Sequence, residues 1–384
     1  MLYITNTTIV SPPEILAART VRIDEGVIQA IYPSSEAEIP PDAATLDGES
    51  FFLVPGFIDL QINGGFGHDF TSDPSSIWDV AIDLPQYGVT AFLPTIVTSP
   101  LETVADAQAV MMTDPAENIP GARPLGLHLE GPFLNQAKKG AHDESHLRLP
   151  HLEDIVDWSL QSGVRMVTLA PELPEATWIG GVLAERGILV AAGHSQATYN
   201  QARAAFNQGF RYATHLFNAM PPLHHREPGL AGAALSDERV TVGLIADGIH
   251  VHPALAKSIW QITNDGRLNL VSDAIAALGM APGAYQLGDR TVIVDQESCR
   301  LSDGTLSGSN LSLDKALKNL ITFTGCSLPD AIRTVSSTPA VLLGLGDRKG
   351  RIAEGYDADL VMLSEDLEVV VTFVGGNIAY TKTD

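Results

Sequence analysis

The chain has 384 residues, 45% of them hydrophobic and 18% charged, a globular balance with room for two domains or one large barrel and an appendage. Its 46 Asp and Glu against 23 Lys and Arg give a formal charge of −23. That excludes the basic footprint needed for nucleic acid or an anionic membrane, and at long range it would repel an anionic substrate. Two cysteines, Cys299 and Cys326, cannot build a disulfide framework and point to a reducing compartment. No apolar run approaches the roughly 18 residues of a membrane span, and the start MLYITNTTIV lacks a secretory pattern. A soluble, cytoplasmic protein is therefore expected.

In chain order, the first fifty residues read as short strands. Leu2–Val10 is β-branched, and Thr20–Asp24 and Val27–Tyr32 flank a turn at Glu25-Gly26. The last thirty-five residues read alike, with strands Asp359–Leu363 and Val369–Val374 closed by Gly375-Gly376-Asn377. Neither end can bury its own sheet, so the two are expected to pair as one small β-sandwich domain, residues 1–53 with 350–384. Between them, apolar runs begin near Phe57, Val89, Leu125, Val164, Ile188, Arg211, Val242 and Leu268. Helix-like stretches such as Leu152–Leu160, Tyr199–Asn207 and Pro253–Thr263 separate them. Eight alternating β/α units predict an α/β fold, a distorted (β/α)₈ TIM barrel over residues 54–349. The alternative, a doubly wound open sheet, lacks the dinucleotide glycine fingerprint. No internal repeat or low-complexity segment interrupts the pattern.

Catalytic groups of a barrel project from the C-terminal ends of its strands. Here those ends carry Gln61 and Asn63, Glu130, His194, His215, Asp247 with His250, and Asp273. Strand alternation in LGLHLE sends Leu125, Leu127 and Leu129 to one face and Gly126, His128 and Glu130 to the other, with Glu130 at the mouth. Glu130, His194 and His215 together make a catalytic zinc set with an open position, which Fe²⁺ or Mn²⁺ could also fill. A lone strand-end histidine is more often a hydrogen-bonded mouth residue; two of them with a carboxylate at equivalent ends bring the metal reading level with it. Asp273 could serve as the proton carrier or merely cap a helix, and Asp247 is its equal candidate, with a turn before Gly248 as the bland reading. In the loop after the sixth run, Arg226 offers a phosphate fork, or a surface ion pair with Glu227. The Lys138-Lys139-Gly140-Ala141-His142 segment, in the long loop after Glu130, could also read a substrate or be a solvated basic turn, while Asn218-Ala219 falls close to His215. His146 and His151 look like loop or cap residues, His128 like a barrel-interior one, and His224 and His225 like local scaffolding. His68 and His252 have no partner by spacing, and neither cysteine has a nearby histidine to activate it.

The motifs PGFIDLQING, HLEGPF, KGAH, GHS, THLFNAM, HREPGLAGA, ADGIHVHP, LVSDA, TLSGS and GRIAEGYDADLVML occur in this order over nearly the whole chain. In them the sequence resembles the N-acetylglucosamine-6-phosphate deacetylase family of the amidohydrolase superfamily. PG-x-ID and GxDADLV are general marks of the superfamily; HLEGPF, FNAMPP and HREPG are specific to the deacetylases. The resemblance implies a metal-dependent barrel beside a small β domain, in a homodimer, acting on a phosphorylated amino sugar. It assigns Glu130, His194 and His215 to the metal and Asp273, rather than Asp247, to acid/base catalysis. It further implies that Ala141 and His142 contact the sugar and acetamide and that Asn218 and Ala219 contact the phosphate. Arg226 and His250 match phosphate or sugar positions, and Leu306 lines the pocket.

One departure carries weight. Where the superfamily commonly has His-x-His, this chain has Gln61-Ile62-Asn63. An amide is a weak ligand beside imidazole, so one divalent metal per chain is expected, zinc before Fe²⁺ or Mn²⁺. The expected reaction is hydrolysis of the acetamide of N-acetylglucosamine 6-phosphate, with His142 donating to the oxyanion. The rivals are another amidohydrolase, such as a cyclic amidase or aminohydrolase, and a noncatalytic scaffold. The phosphate-reading Arg226 argues against the former, and the intact metal set against the latter.

Overall fold

The computed structural model describes residues 1–113, 120–263, 266–296 and 298–383. Eight parallel strands form the barrel: Phe57–Ile62, Val89–Val97, Leu127–Glu130, Val164–Leu169, Leu189–Ala192, Tyr212–Ala213, Thr241–Leu244 and Leu268–Leu270. All eight are buried over their length apart from Arg165 in the fourth, which is why they read as continuous apolar runs rather than alternating ones. The ring closes where the eighth run meets the first. Ile62 bridges Ala274 in parallel, Asp273 N donates to Gln61 O at 2.9 Å, and Asn63 N to Ala274 O at 2.7 Å. That closure removes the doubly wound alternative and leaves the (β/α)₈ barrel.

The termini supply a separate eight-stranded sheet. Leu2–Ser11 lies at its centre between Glu14–Asp24 and Phe52–Pro55, and Leu360–Leu363 pairs antiparallel with Phe52–Pro55. At its far edge Val27 bridges Asp357, so the sheet curls back on itself around Ile4, Ile28, Leu53, Met362 and Phe373. The carboxylates of the GYDADL segment serve this construction. Lys349, 9% exposed, meets Asp357 Oδ2 at 2.8 Å and also Asp359, whose other oxygen accepts Gly375 N–H at 2.8 Å. Replacing Asp359 with Ala strands the Gly375 donor and halves the countercharge of a buried ammonium. A loss of about 3 kcal/mol is expected, read as a lowered urea midpoint.

Two sequence expectations change. Leu152–Leu160 is no α-helix: only a 3₁₀ turn forms at Leu152–Ile155. The Ile155 and Trp158 carbonyls go to the Arg186 guanidinium, the latter at 2.9 Å, instead of to a helical ladder. Nor does Asp273 cap a helix, because 274–276 is not helical. The periodicity also passed over an antiparallel hairpin after the eighth strand, Gly283–Leu287 with Arg290–Val294, which carries Leu287 to the barrel mouth. No helix among the described residues is long and apolar enough to cross a membrane.

Candidate metal centre and substrate cavity

The strand ends converge at one barrel mouth, over a cavity of about 310 Å³. Glu130, His194 and His215, from the third, fifth and sixth strand ends, are 3–5% exposed. Glu130 Oε1 lies 3.1 Å from His194 Nε2 and 3.0 Å from His215 Nε2, and the two nitrogens are 3.1 Å apart. His194 Nδ1 sits 2.9 Å from the Lys138 carbonyl, which can only accept. The neutral ring therefore carries its proton on Nδ1 and turns a lone pair on Nε2 toward the cluster. A shared proton could satisfy one contact among these three atoms; a cation satisfies all of them. Two imidazoles and a carboxylate at this spacing fit a divalent ion. Burial alone would raise the Glu130 pKa, but the close His194 and His215 imidazoles outweigh it and hold Glu130 well below the usual carboxylate value. Burial would likewise lower His215, and Glu130 reverses this.

The backbone bends to aim these groups. His194, His215 and Asp273 have φ of 47°, 28° and 49°, in the left-handed region that disfavours a side chain. Each is the residue at which a barrel strand breaks sharply into its loop, so the conformation that costs energy is what turns the side chain into the mouth. The sixth strand ends after Ala213 for the same reason.

Asp273 lines the cavity beside the cluster. Its Oδ1 accepts from Gln61 Nε2 at 3.1 Å and Asn63 Nδ2 at 2.9 Å, which leaves Oδ2 for the reacting atoms. Gln61 Nε2 also reaches Glu130 Oε1 at 3.1 Å. Both of its neighbours are acceptor-only carboxylates, so the amide must present its NH₂ there. Burial, and then the Glu130 charge, push the Asp273 pKa upward. Asp247, its equal by sequence, has no such freedom. Asp247 Oδ2 is 2.6 Å from His250 Nδ1, and Oδ1 takes the Ile249 and His250 backbone N–H groups at 2.8 Å each. Its carboxylate is spent on the turn and on aiming the His250 imidazole, which lines the cavity.

His142 stands edge-on to His194, ring centroids 4.5 Å apart, with Nε2 4.0 Å from Glu130 Oε2. The Thr98 backbone N–H points at His142 Nδ1 at 3.3 Å and can only donate. The ring proton accordingly belongs on Nε2, facing the cavity. Burial, and then the neighbouring His194, push its pKa down to about 3, so the ring stays neutral. Asn63, Ala141, Asn218, Ala219 and Leu306 also line the cavity. Two predicted residues do not: Gln61 lies behind Asp273, and Arg226 sits on an exposed loop with Nη1 2.9 Å from His225 Nε2. The ion pair weighed for Arg226 is likewise not seen, because Glu227 accepts from the Tyr199 and Gly229 backbones.

Sequence reasoning missed several neighbours. Glu172, just past the fourth strand, accepts from Ser195 Oγ at 2.7 Å and Asn135 Nδ2 at 2.9 Å, tying the His194 turn to the loop after Glu130. Its strand-end position was the available signal. Thr98 ends the second run in the same way, whereas Leu287 gave none. His128 is buried between Thr95 and Thr168, as a barrel-interior residue.

The profile of the amidohydrolase family matches residues 52–379. The N-acetylglucosamine-6-phosphate deacetylase of Bos taurus is 41% identical over 344 residues, 85% of this chain and 83% of the relative. The N-acetylgalactosamine-6-phosphate deacetylase of Escherichia coli is 38% identical over 363 residues, 94% of each chain. A mutant N-acetyl-D-glucosamine-6-phosphate deacetylase from Mycobacterium smegmatis, solved in complex with N-acetyl-D-glucosamine-6-phosphate, superposes with a TM-score of 0.88 at 33% identity over 99% of each chain.

Proposed function

This chain belongs to the amidohydrolase family, and on that premise we propose that Asp273 and His142, at a site that would hold one divalent cation, hydrolyse the acetamide of N-acetylglucosamine 6-phosphate, giving glucosamine 6-phosphate and acetate. The observation that carries the reading is the single cavity wall that Asp273, His142 and the Glu130–His194–His215 cluster share, in a chain whose curated relatives are amino-sugar-phosphate deacetylases.

Glu130, His194 and His215 would hold the cation, with zinc the best match to the donor set. Such an ion supplies Lewis acidity toward the amide carbonyl and brings the acidity of water near neutral pH. Asp273, its Oδ1 pinned by Gln61 and Asn63, takes the proton of the attacking water at Oδ2. Nε2–H of His142 donates to the carbonyl oxygen as negative charge gathers on it. Asp273 then returns its proton to the sugar nitrogen, without which the amine cannot leave. The Gln61 amide supports a one-metal site, since its NH₂ already bridges Glu130 and Asp273. Around this centre Ala141 and Leu306 would pack against the sugar, while Asn218, Ala219 and His250 would read its phosphate end. We keep Arg226 in the phosphate set on the resemblance of its HREPG segment. The homodimer, the cytoplasmic location and the division into 1–53 with 350–384 and 54–349 belong to the same reading.

The test is release of acetate from N-acetylglucosamine and N-acetylgalactosamine, each with and without the 6-phosphate. Turnover of a phosphorylated sugar well above its free counterpart is expected; turnover of a cyclic amide instead would overturn the reading. Arg226→Ala is expected to raise KM for the phosphorylated sugar about tenfold with little change in kcat, as loss of a charge-assisted contact should. A fall confined to kcat would remove Arg226 from the set.

A further inference from the structure

The cavity needs cationic charge that the residues named so far supply only sparingly. It must accept a phosphate dianion on a chain of net charge −23, beside two carboxylates. Asn218 spends hydrogens of its own locally: its backbone N–H donates to His215 O at 3.0 Å, and Nδ2 to the His215 and Leu216 carbonyls at 3.1 and 3.3 Å. Among the described residues lining the cavity, one lysine and no arginine is found, and it is Lys138.

Lys138 differs from its neighbour in a telling way. The Lys139 ammonium turns out to Glu144 Oε2 at 2.8 Å, a partly exposed pair. Lys138 turns inward, and its Nζ donates to the Met220 carbonyl at 3.0 Å. An ammonium carries three donors, and one neutral carbonyl uses one of them. With 46 carboxylate side chains in the sequence, a half-buried lysine aimed at a carbonyl is a placement that local pairing does not explain. Met220 follows Asn218 and Ala219 directly, so the charge lies against the segment read as facing the phosphate. The backbone carbonyl of Lys138 fixes His194 Nδ1. Lys138 thus reaches from the metal-side imidazole to the 218–220 segment, much as the substrate must reach from its 2-acetamide to its 6-phosphate.

We propose that the Lys138 ammonium is a contact for the substrate phosphate, supplied from within the chain, and that it sets the preference of the site for a 6-phosphorylated sugar. The proposal rests on the reading of Asn218–Ala219 as phosphate-facing. Because the His194 contact uses the backbone of Lys138, a side-chain change separates the two roles.

The experiment compares wild type, Lys138→Met and Lys138→Arg on N-acetylglucosamine with and without the 6-phosphate, with inorganic phosphate as inhibitor and metal content measured for each. In Lys138→Met, the ratio of kcat/KM for the phosphorylated sugar to that for the free sugar is expected to fall about tenfold or more. The loss should fall mainly in KM, and the inhibition constant for inorganic phosphate should rise with it. Lys138→Arg should recover most of the ratio, and all three proteins should hold the same metal. An equal loss on both sugars would make Lys138 a strap for the His194 loop and overturn the proposal, as would a ratio within threefold of wild type. Wild type with no preference for phosphate would overturn the deacetylase reading too, whereas a preference retained in Lys138→Met would overturn the Lys138 assignment alone.

Discussion

Asp273→Asn is expected to lower kcat by about 10³- to 10⁴-fold, near the upper range for a positioned acid/base group. The substitution is isosteric, and Oδ1 of the new amide can still accept from Gln61 and Asn63, so the geometry of the mouth should survive. What disappears is the ability to take a proton from water and hand it to the departing amine. The loss should be large because one residue performs both transfers and an amide nitrogen leaves poorly as an anion. KM should change little, and elemental analysis should find the same metal per chain as in wild type. A variant with kcat within tenfold of wild type would remove Asp273 from the chemistry. Loss of metal in parallel with activity would instead make it a ligand.

Removing the divalent ion is expected to abolish turnover and to soften the protein as well. Glu130, His194 and His215 place three mutually facing acceptor atoms in a buried cluster. Without countercharge, that arrangement can only be relieved by protonation or rearrangement. An ion that binds the folded state alone stabilises it by about 2.7 kcal/mol at a hundred times its dissociation constant. Chelator-treated protein should therefore melt at a lower temperature, and one equivalent of zinc should restore both Tm and activity. Glu130→Gln should abolish the zinc-dependent Tm shift, since it replaces the charged ligand with a neutral amide. Titration to two tight equivalents would contradict the role given to Gln61, whose NH₂ occupies the space between Glu130 and Asp273. An unchanged Tm on metal removal would place the ion elsewhere.

Much of this site is legible in the amino-acid sequence. Buried parallel strands appear as apolar runs, and a polar residue at the end of such a run can only be at the mouth, so Glu130, His194, His215 and Asp273 were identifiable one by one. The sharp bends that aim three of them were not, because positive φ at histidine or aspartate leaves no mark in composition. The irregular segments were the least legible. Leu152–Leu160 has helical spacing, yet an arginine from a distant helix end takes its carbonyls. Leu287 reaches the mouth on a hairpin whose alternation is interrupted by turn residues.

The sequence by itself determined the barrel, the sheet built from both ends and which strand ends carry Glu130, His194 and His215, because these follow from local burial periodicity and from which residue types can bind a cation. Only the tertiary structure separated residues that look alike in the chain. Asp247 and Asp273 both end strands, but one carboxylate is saturated by His250 and its turn while the other keeps an oxygen free. Lys138 and Lys139 are adjacent, but one finds Glu144 in solvent and the other the Met220 carbonyl inside. The net charge of −23 likewise describes the distant field and not the cavity, where Lys138, the His142 imidazole and the Glu130–His194–His215 cluster meet. The direction of a polar side chain depends on which partner remains unsatisfied within its reach, and for Asp273 and Lys138 that partner lies tens of residues or more away in sequence.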